Sequence, residues 1–308
     1  MIVGRVREIW RYPVKSMGGE KLLSCTVGNM GIPGDRGWAL RDDVAGEIRG
    51  AKNMPTLLQH ASRYREQPVN GQTPHVDIRL PDGTHIGSDD PQVNARLSAL
   101  LGRAVSLWPL QPASDKAHYR RGQAGAAFIG MLSRNRVLRP LLEKLLPYTS
   151  FETMTRELLS REPGEPLLDY ASIPSELFEF TSPPGTYFDL APLHLLTTSS
   201  LAAMKRLNPS AAWDARRFRP NFLIETEGDI EGLVEAGWEG RTLRLGGLSL
   251  TCGIPTLRCG MTAHAQSDLP KDSTVLRSIV RDAGQNLGIY AHATKSSQVA
   301  VGDVVELL

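Results

Sequence analysis

Apolar and polar residues alternate along Met1-Ile2-Val3-Gly4-Arg5-Val6-Arg7-Glu8-Ile9, the period of a half-buried β-strand, so the chain is expected to start in a sheet. Further on, Val76-Asp77-Ile78-Arg79-Leu80 and Thr84-His85-Ile86 flank Pro81-Asp82-Gly83, which predicts a hairpin. The period then changes. Val93, Leu97, Leu100 and Leu101 recur at helical spacing, with Asp90 as a cap, Pro91 suited to the first turn and Gly102 as the stop. From about 111 to 185 the strand period is lost and Pro, Gly, Arg and Leu mix, which predicts a helical insertion or linker. Leu132, Arg134, Arg136, Leu138, Arg139, Leu141, Leu142, Lys144, Leu145 and Leu146 make a basic amphipathic face there, one that either packs inward or lies on a membrane or partner.

The last third returns to short strands. Leu193-His194-Leu195-Leu196-Thr197 is an apolar run, Thr198-Ser199-Ser200 caps the helical Leu201 to Leu207, and Gly246-Gly247 joins Thr242–Leu245 to Leu248–Cys252 as a hairpin. Val299 to Leu307, interrupted by Gly302-Asp303, reads as a closing strand pair. The pattern predicts a mainly β, α+β chain with two intertwined domains.

Composition narrows the function. A net charge of +2, with 35 basic and 33 acidic residues scattered over 308, argues against nucleic-acid binding and suits one small anion. No apolar run approaches the roughly 20 residues of a membrane span and no signal-peptide core opens the chain, so the expected address is cytoplasmic. Three cysteines, Cys25, Cys252 and Cys259, form no Cys-x-x-Cys pair, which disfavours a disulfide scaffold or structural zinc.

Four segments carry candidate chemistry. Cys259 follows Arg258 just beyond the predicted hairpin; a thiolate there, favoured by a neighbouring cation, suits a soft metal, and the plain alternative is a buried cysteine acting as a small hydrophobe. Tyr12-Pro13-Val14-Lys15-Ser16 offers an ammonium and a hydroxyl to an anion. In Gly34-Asp35-Arg36-Gly37-Trp38, Arg36 is the anion contact and Asp35 the residue that orients a neighbour, with a structural ion pair as the alternative. Arg217-Phe218-Arg219-Pro220-Asn221, taken as a strand, puts both arginines on one face and adds the amide of Asn221. The helix start at Thr198, Ser199 and Ser200 would add backbone N–H groups for an anion, or simply be an N-cap.

In their order along the chain these segments, together with Pro184-Gly185-Thr186-Tyr187-Phe188-Asp189 and Val301-Gly302-Asp303, resemble the MOSC family, the molybdenum cofactor sulfurase C-terminal domain. The resemblance implies an N-terminal β-barrel-like domain over 1–110, the helical insertion over 111–185 and a MOSC barrel over 186–308. It implies a molybdenum pyranopterin cofactor in a cleft between them, with Cys259 as metal ligand and catalytic centre. Lys15, Ser16, Arg36, Thr198, Ser199, Ser200, Arg217 and Arg219 would hold the phosphate and Asn221 the pterin. Members similar to the mitochondrial amidoxime-reducing component and the bacterial N-hydroxylaminopurine-resistance proteins imply reduction of small N-oxygenated substrates. Because no four-cysteine extension follows Leu308, electrons would arrive from a separate ferredoxin, flavoprotein or cytochrome. Two departures stand out: Thr256 replaces the first cysteine of the loop, and Met261-Thr262-Ala263-His264 follows the ligand, with His264 either a proton donor or an ordinary loop histidine. The alternatives are a persulfide carrier through Cys259 in cofactor maturation and a non-enzymatic cofactor-binding module. Pyridoxal phosphate binding attaches to the family only through the large domain of its cofactor-sulfurating members, which has no counterpart in these 308 residues.

Overall fold

In a computed structural model, residues 1–69, 71–122, 156, 159–167, 179–228 and 230–308 are described. The basic amphipathic face expected at 132–146 lies outside them. The first part contains β1 (Ile2–Arg11), β2 (Glu20–Leu22), β3 (Ser24–Val27), β4 (Trp38–Asp42), β5 (Glu47–Arg49), β6 (Ala61–Tyr64), β7 (Val76–Arg79), β8 (His85–Gly87), α1 (Val93–Leu101), β9 (Val105–Pro109) and α2 (Lys116–Tyr119). The last third contains β10 (Leu193–Thr197), α3 (Thr198–Leu207), β11 (Phe222–Thr226), β12 (Thr242–Leu245), β13 (Leu248–Leu257), α4 (Ser273–Asp282), β14 (Asn286–Ala293), β15 (Ser297–Ala300) and β16 (Val304–Leu307).

Seven strands close into a barrel in the order β1-β11-β10-β14-β13-β12-β16 and back to β1, so no edge of that ring stays unpaired. The strand alternation read at the N-terminus therefore serves the C-terminal barrel. Val3, Val6 and Ile9 point into a core with Leu195, Phe222, Ile224, Leu243, Leu250 and Ile289. The first strand joins the C-terminal barrel by antiparallel pairing with β11 and β16, and β3 pairs with β15. The closing stretch also differs, since β15 and β16 pair with β3 and with β1 and β12, not with each other.

The remaining N-terminal strands form two three-stranded sheets, β5-β4-β9 and β6-β7-β8, around a second core that includes Val14, Trp38, Leu40, Ile78 and Leu97. The predicted hairpin is β7 and β8, turned at Gly83 with φ +85°. Helix α1 starts at Val93 with Gln92 as its N-cap. Asp90 acts one step earlier, its carboxylate accepting from Gln92 N at 2.7 Å, and Leu100 faces solvent because the buried stripe is only Val93 and Leu97.

The hairpin of β12 and β13 turns at Gly246, and β13 runs five residues past its predicted end at Cys252. Its ladder with β14 shifts register around Pro255, the mark of β-bulges. Opposite the irregularity stands Gly288 at φ +85°, where an added Cβ would clash with His194 Nε2 and lie 2.7 Å from Leu195 O. Gly288→Ala is expected to lose about 3 kcal/mol of stability from backbone strain and overpacking, read as a lower urea midpoint; an unchanged midpoint would contradict this.

Candidate functional site

Tyr12 leaves the barrel at the end of β1, and the chain runs beside the loop before β4. Tyr12 N donates to Asp35 Oδ1 at 2.8 Å, Arg36 N to Tyr12 O at 2.7 Å, and Lys15 N to Trp38 O at 2.8 Å. Pro13, without an N–H, sits where none is needed, its carbonyl accepting from Trp38 N at 3.0 Å. Two motifs that start 22 residues apart are thus laced into one wall of a cleft of about 570 Å³, counting its open mouth. The opposite wall comes from the barrel and includes His194, Arg219, Thr256, Arg258, Met261 and Tyr290.

Four cations line this cleft, Lys15, Arg36, Arg219 and Arg258. Lys15 Nζ donates to Asp189 Oδ1 and Tyr187 O, both at 2.7 Å, and to Ser182 Oγ at 3.4 Å. Burial pulls its pKa down, opposed by Asp189, whose carboxyl Lys15 in turn holds far below the usual range. Arg36 pairs with Asp35 and lies 4.6 Å over the Tyr12 ring, while Arg219 lies 4.1 Å over the same ring. One buried aromatic therefore holds two guanidinium groups that would otherwise repel. Arg219 reaches the cleft from a left-handed backbone, φ +53°, donates through Nη1 to Met17 O and has Nη2 buried without a partner. Burial, then Arg36, lowers its pKa to about 10, so it stays charged at neutral pH. Thr256 Oγ1 is also buried and unpartnered. A buried donor without an acceptor is costly, and two in one cationic cleft fit an anion.

The expected site residues divide. Lys15, Ser16, Arg36, Arg219 and Asn221 line the cleft. Ser16 is partly spent, its Oγ accepting from Ala51 N at 2.9 Å. Asn221 is wholly committed to protein: Oδ1 accepts from His194 N at 3.1 Å, and Nδ2 donates to Asp35 Oδ2 at 2.9 Å and Trp10 O at 3.2 Å, so its amide joins the two domains rather than reaching for a ring.

Arg217 does not line the cleft. Residues 215–218 form a 3-10 turn instead of a strand, so Arg217 and Arg219 part. Arg217, fully buried, donates to the carbonyls of Ala212, Thr262, His264 and Pro270. The helix start is elsewhere too. Thr197 is the N-cap, and the hydroxyls of Thr197 and Ser200 donate to buried Glu235, Ser199 donates to Gly232 O, and Thr198 meets Thr226. A carboxylate of the chain itself takes the place expected for phosphate.

Cys259 is free and half-buried, between the cleft-lining Arg258 and Met261 in sequence. Arg258 does not turn to it: Nε donates to Leu287 O at 2.8 Å, Nη1 to Phe218 O at 3.2 Å and Nη2 to His194 Nε2 at 2.6 Å. Lys52, after β5, lies near enough that a negative charge on Cys259 is the largest cause of its raised pKa. His264 stands outside the lining, its carbonyl bound by Arg217. Among the described residues no three His, Cys, Asp or Glu side chains cluster to hold a metal.

Tyr12, Lys52, Asp189, His194, Thr256 and Tyr290 are not among the site residues expected from the sequence; the YPVKS motif, the Tyr-Phe-Asp segment, the departure at Thr256 and the stretch Gln285 to Tyr290, which the sequence places near the site, point to four of them. His194 must accept at Nε2, so it is neutral with its proton on Nδ1, and burial, then Arg258, depresses its pKa well below 6.5. The unfolded chain thus binds a proton that the native one refuses, and this contribution to stability is complete above about pH 6.5 and lost below it. Each such proton steepens the loss by about 1.4 kcal/mol per pH unit. His60, His118 and His264 are shifted the same way. His194→Gln is expected to shallow the fall in unfolding free energy between pH 6.5 and 5; an unchanged slope would count against the neutral pair.

A comparison with curated proteins returns no match. Among solved structures, YiiM from Geobacillus stearothermophilus is similar at 15% identity and TM-score 0.28, over 38% of this chain and 54% of that one, so this chain spans about half its length. The YUAD protein from Bacillus subtilis is similar at 19% identity and TM-score 0.31, over 40% and 67%. YiiM from Escherichia coli stands at 16% and 0.30, over 38% and 54%. No helix among the described residues is long and apolar enough to cross a membrane. The MOSC N-terminal beta barrel domain matches residues 3–114 and the MOSC domain matches residues 185–306, the two parts that meet at the cleft, and the chain belongs to the MOSC family.

Proposed function

We propose that the cleft holds a molybdenum pyranopterin cofactor and that the protein reduces small N-hydroxylated compounds with electrons from a separate redox protein. The observation that carries this reading is the pair of buried, unpartnered donors, Arg219 Nη2 and Thr256 Oγ1, in a cationic cleft whose lining residues Arg258 and Met261 flank the free Cys259 in sequence. The residues fit such a group. Lys15, Arg36 and Arg219 would take its phosphate, and Cys259 Sγ would give the metal a soft donor, the other ligands coming with the pterin. Ser16 would offer what its hydroxyl retains after holding Ala51 N.

When bound, such a cofactor supplies two-electron chemistry, R–NHOH with two electrons and two protons giving R–NH2 and water. The chain's own part is positioning and proton supply. Burial pushes the Tyr290 phenol up to about 12, so it keeps its proton at neutral pH and can donate one in the cleft. Phe188 and Phe218 exclude water, and Lys15, tied to Asp189 and Tyr187 O, is held in place before any ligand arrives. A carrier of persulfide through Cys259 is the second reading, supported by the nearness of Lys52 to the thiol.

The test is reduction of N-hydroxylated compounds by protein from a cofactor-making host, driven by a reduced dye. Turnover supports the reductase. No turnover from protein carrying metal and pterin would overturn the substrate assignment.

A further inference from the structure

Behind the cleft, across the bulged wall of β13 and β14, lies a second cavity of about 350 Å³, counting its opening. Its walls include Ser200 and Glu235 on one side and Pro255, Ala283, Leu287 and Gly288 on the other. Glu235 is 1% exposed. One of its oxygens, Oε2, accepts from Thr197 Oγ1 at 2.7 Å and from Ser200 Oγ at 2.5 Å. The other, Oε1, is buried and has no partner. Burial raises the Glu235 pKa, opposed by the Ser200 and Thr197 hydroxyls, and a carboxyl oxygen removed from water and left bare is among the more costly groups a fold can hold; its usual explanation is a bound donor.

The bulge explains why the room exists. Pro255 offers no N–H to the ladder and Gly288 has a left-handed backbone, so the two strands part locally and leave space beside the N-terminus of α3. The hydroxyls of Thr197 and Ser200 already serve Oε2, which leaves Oε1 the open acceptor, and the rest of the wall is mostly apolar.

We infer that this cavity is a second binding site, separate from the cofactor cleft, for a small organic cation whose ammonium group donates to Glu235 Oε1 and whose short apolar body packs against Pro255 and Leu287. The site does not depend on the molybdenum reading. It does share a wall with the cleft, since Leu287 O accepts from Arg258 and Gly288 abuts His194, so an occupant would touch the segment on which Arg258 is anchored.

The test uses n-propylammonium as probe and n-propanol as its neutral counterpart, with the backbone amide signals of Ser200 and Gly288 followed by NMR on the full chain. Saturable shifts with propylammonium, absent with propanol, are expected. Glu235→Gln keeps the shape and an acceptor for both hydroxyls but removes the charge, and should weaken binding at least about tenfold. Ala283→Leu leaves the carboxylate intact and fills the space from the far wall, and should abolish binding even if Glu235→Gln fails to fold. Equal shifts with propanol, undiminished binding by Glu235→Gln, or no saturable shift at all, as when Oε1 merely holds a water, would each overturn the inference.

Discussion

Cys259→Ser is expected to keep its pterin but lose dye-driven reduction of N-hydroxylated compounds to background, a fall of at least about a thousandfold, the scale reached when a group that contacts the reacting centre is removed. The expectation follows from how the two functions are divided in space. The proposed phosphate contacts, Lys15, Arg36 and Arg219, are held by Asp189, Asp35, Tyr12 and Met17 O, none of which depends on the thiol. Serine replaces a soft donor with a hard one at the same place, so the metal environment changes while the anion grip stays. Pterin fluorescence and turnover on one preparation check this. Turnover within tenfold of the unsubstituted protein would remove Cys259 from the chemistry, whereas loss of pterin with the thiol would show that the grip is not independent.

The second large effect is on stability. Arg217→Met is expected to lower the unfolding free energy by about 4 kcal/mol, because four carbonyls bound by one fully buried guanidinium lose their donor and no water can replace it. Thr262 is one of those carbonyls, and its hydroxyl donates to Cys259 O, so the thiol's loop should loosen in the same variant. Urea unfolding checks the magnitude, and faster alkylation of Cys259 checks the loop. A loss under about 1 kcal/mol would mean the surroundings satisfy those carbonyls in another way.

The contrast between Arg217 and Arg219 shows how far the sequence could be read. The motif was legible and so was its tie to an anion, but the split between the two arginines was not. It comes from a 3-10 turn that ends in a left-handed residue, a conformation that neither a period of two nor residue propensity signals at an arginine. The hydroxyls of Thr198 to Ser200 failed for a different reason. Their helix end is real, but the hydroxyls are taken by Thr226, Gly232 O and Glu235, which only tertiary packing brings to them. Asn221 and Arg258 line the cleft, but their polar groups are held by backbone and side-chain atoms brought from distant segments. Strand pattern and turns were the most legible level: the hairpins at Gly83 and Gly246 follow from local chemistry. That β1 closes the C-terminal barrel was not, since alternation tells which face is buried and not against which sheet.

Cofactor binding by the cationic cleft between the two family domains is proposed to run through Arg219 and its neighbours. The most direct measurement is molybdenum and pterin content of the protein and of Arg219→Ala, both purified from a cofactor-making host fed molybdate. Near-stoichiometric metal and pterin in the first, with both lost in the second while its unfolding midpoint is retained, is the predicted result. No metal or pterin in either, or full occupancy in Arg219→Ala, would contradict it.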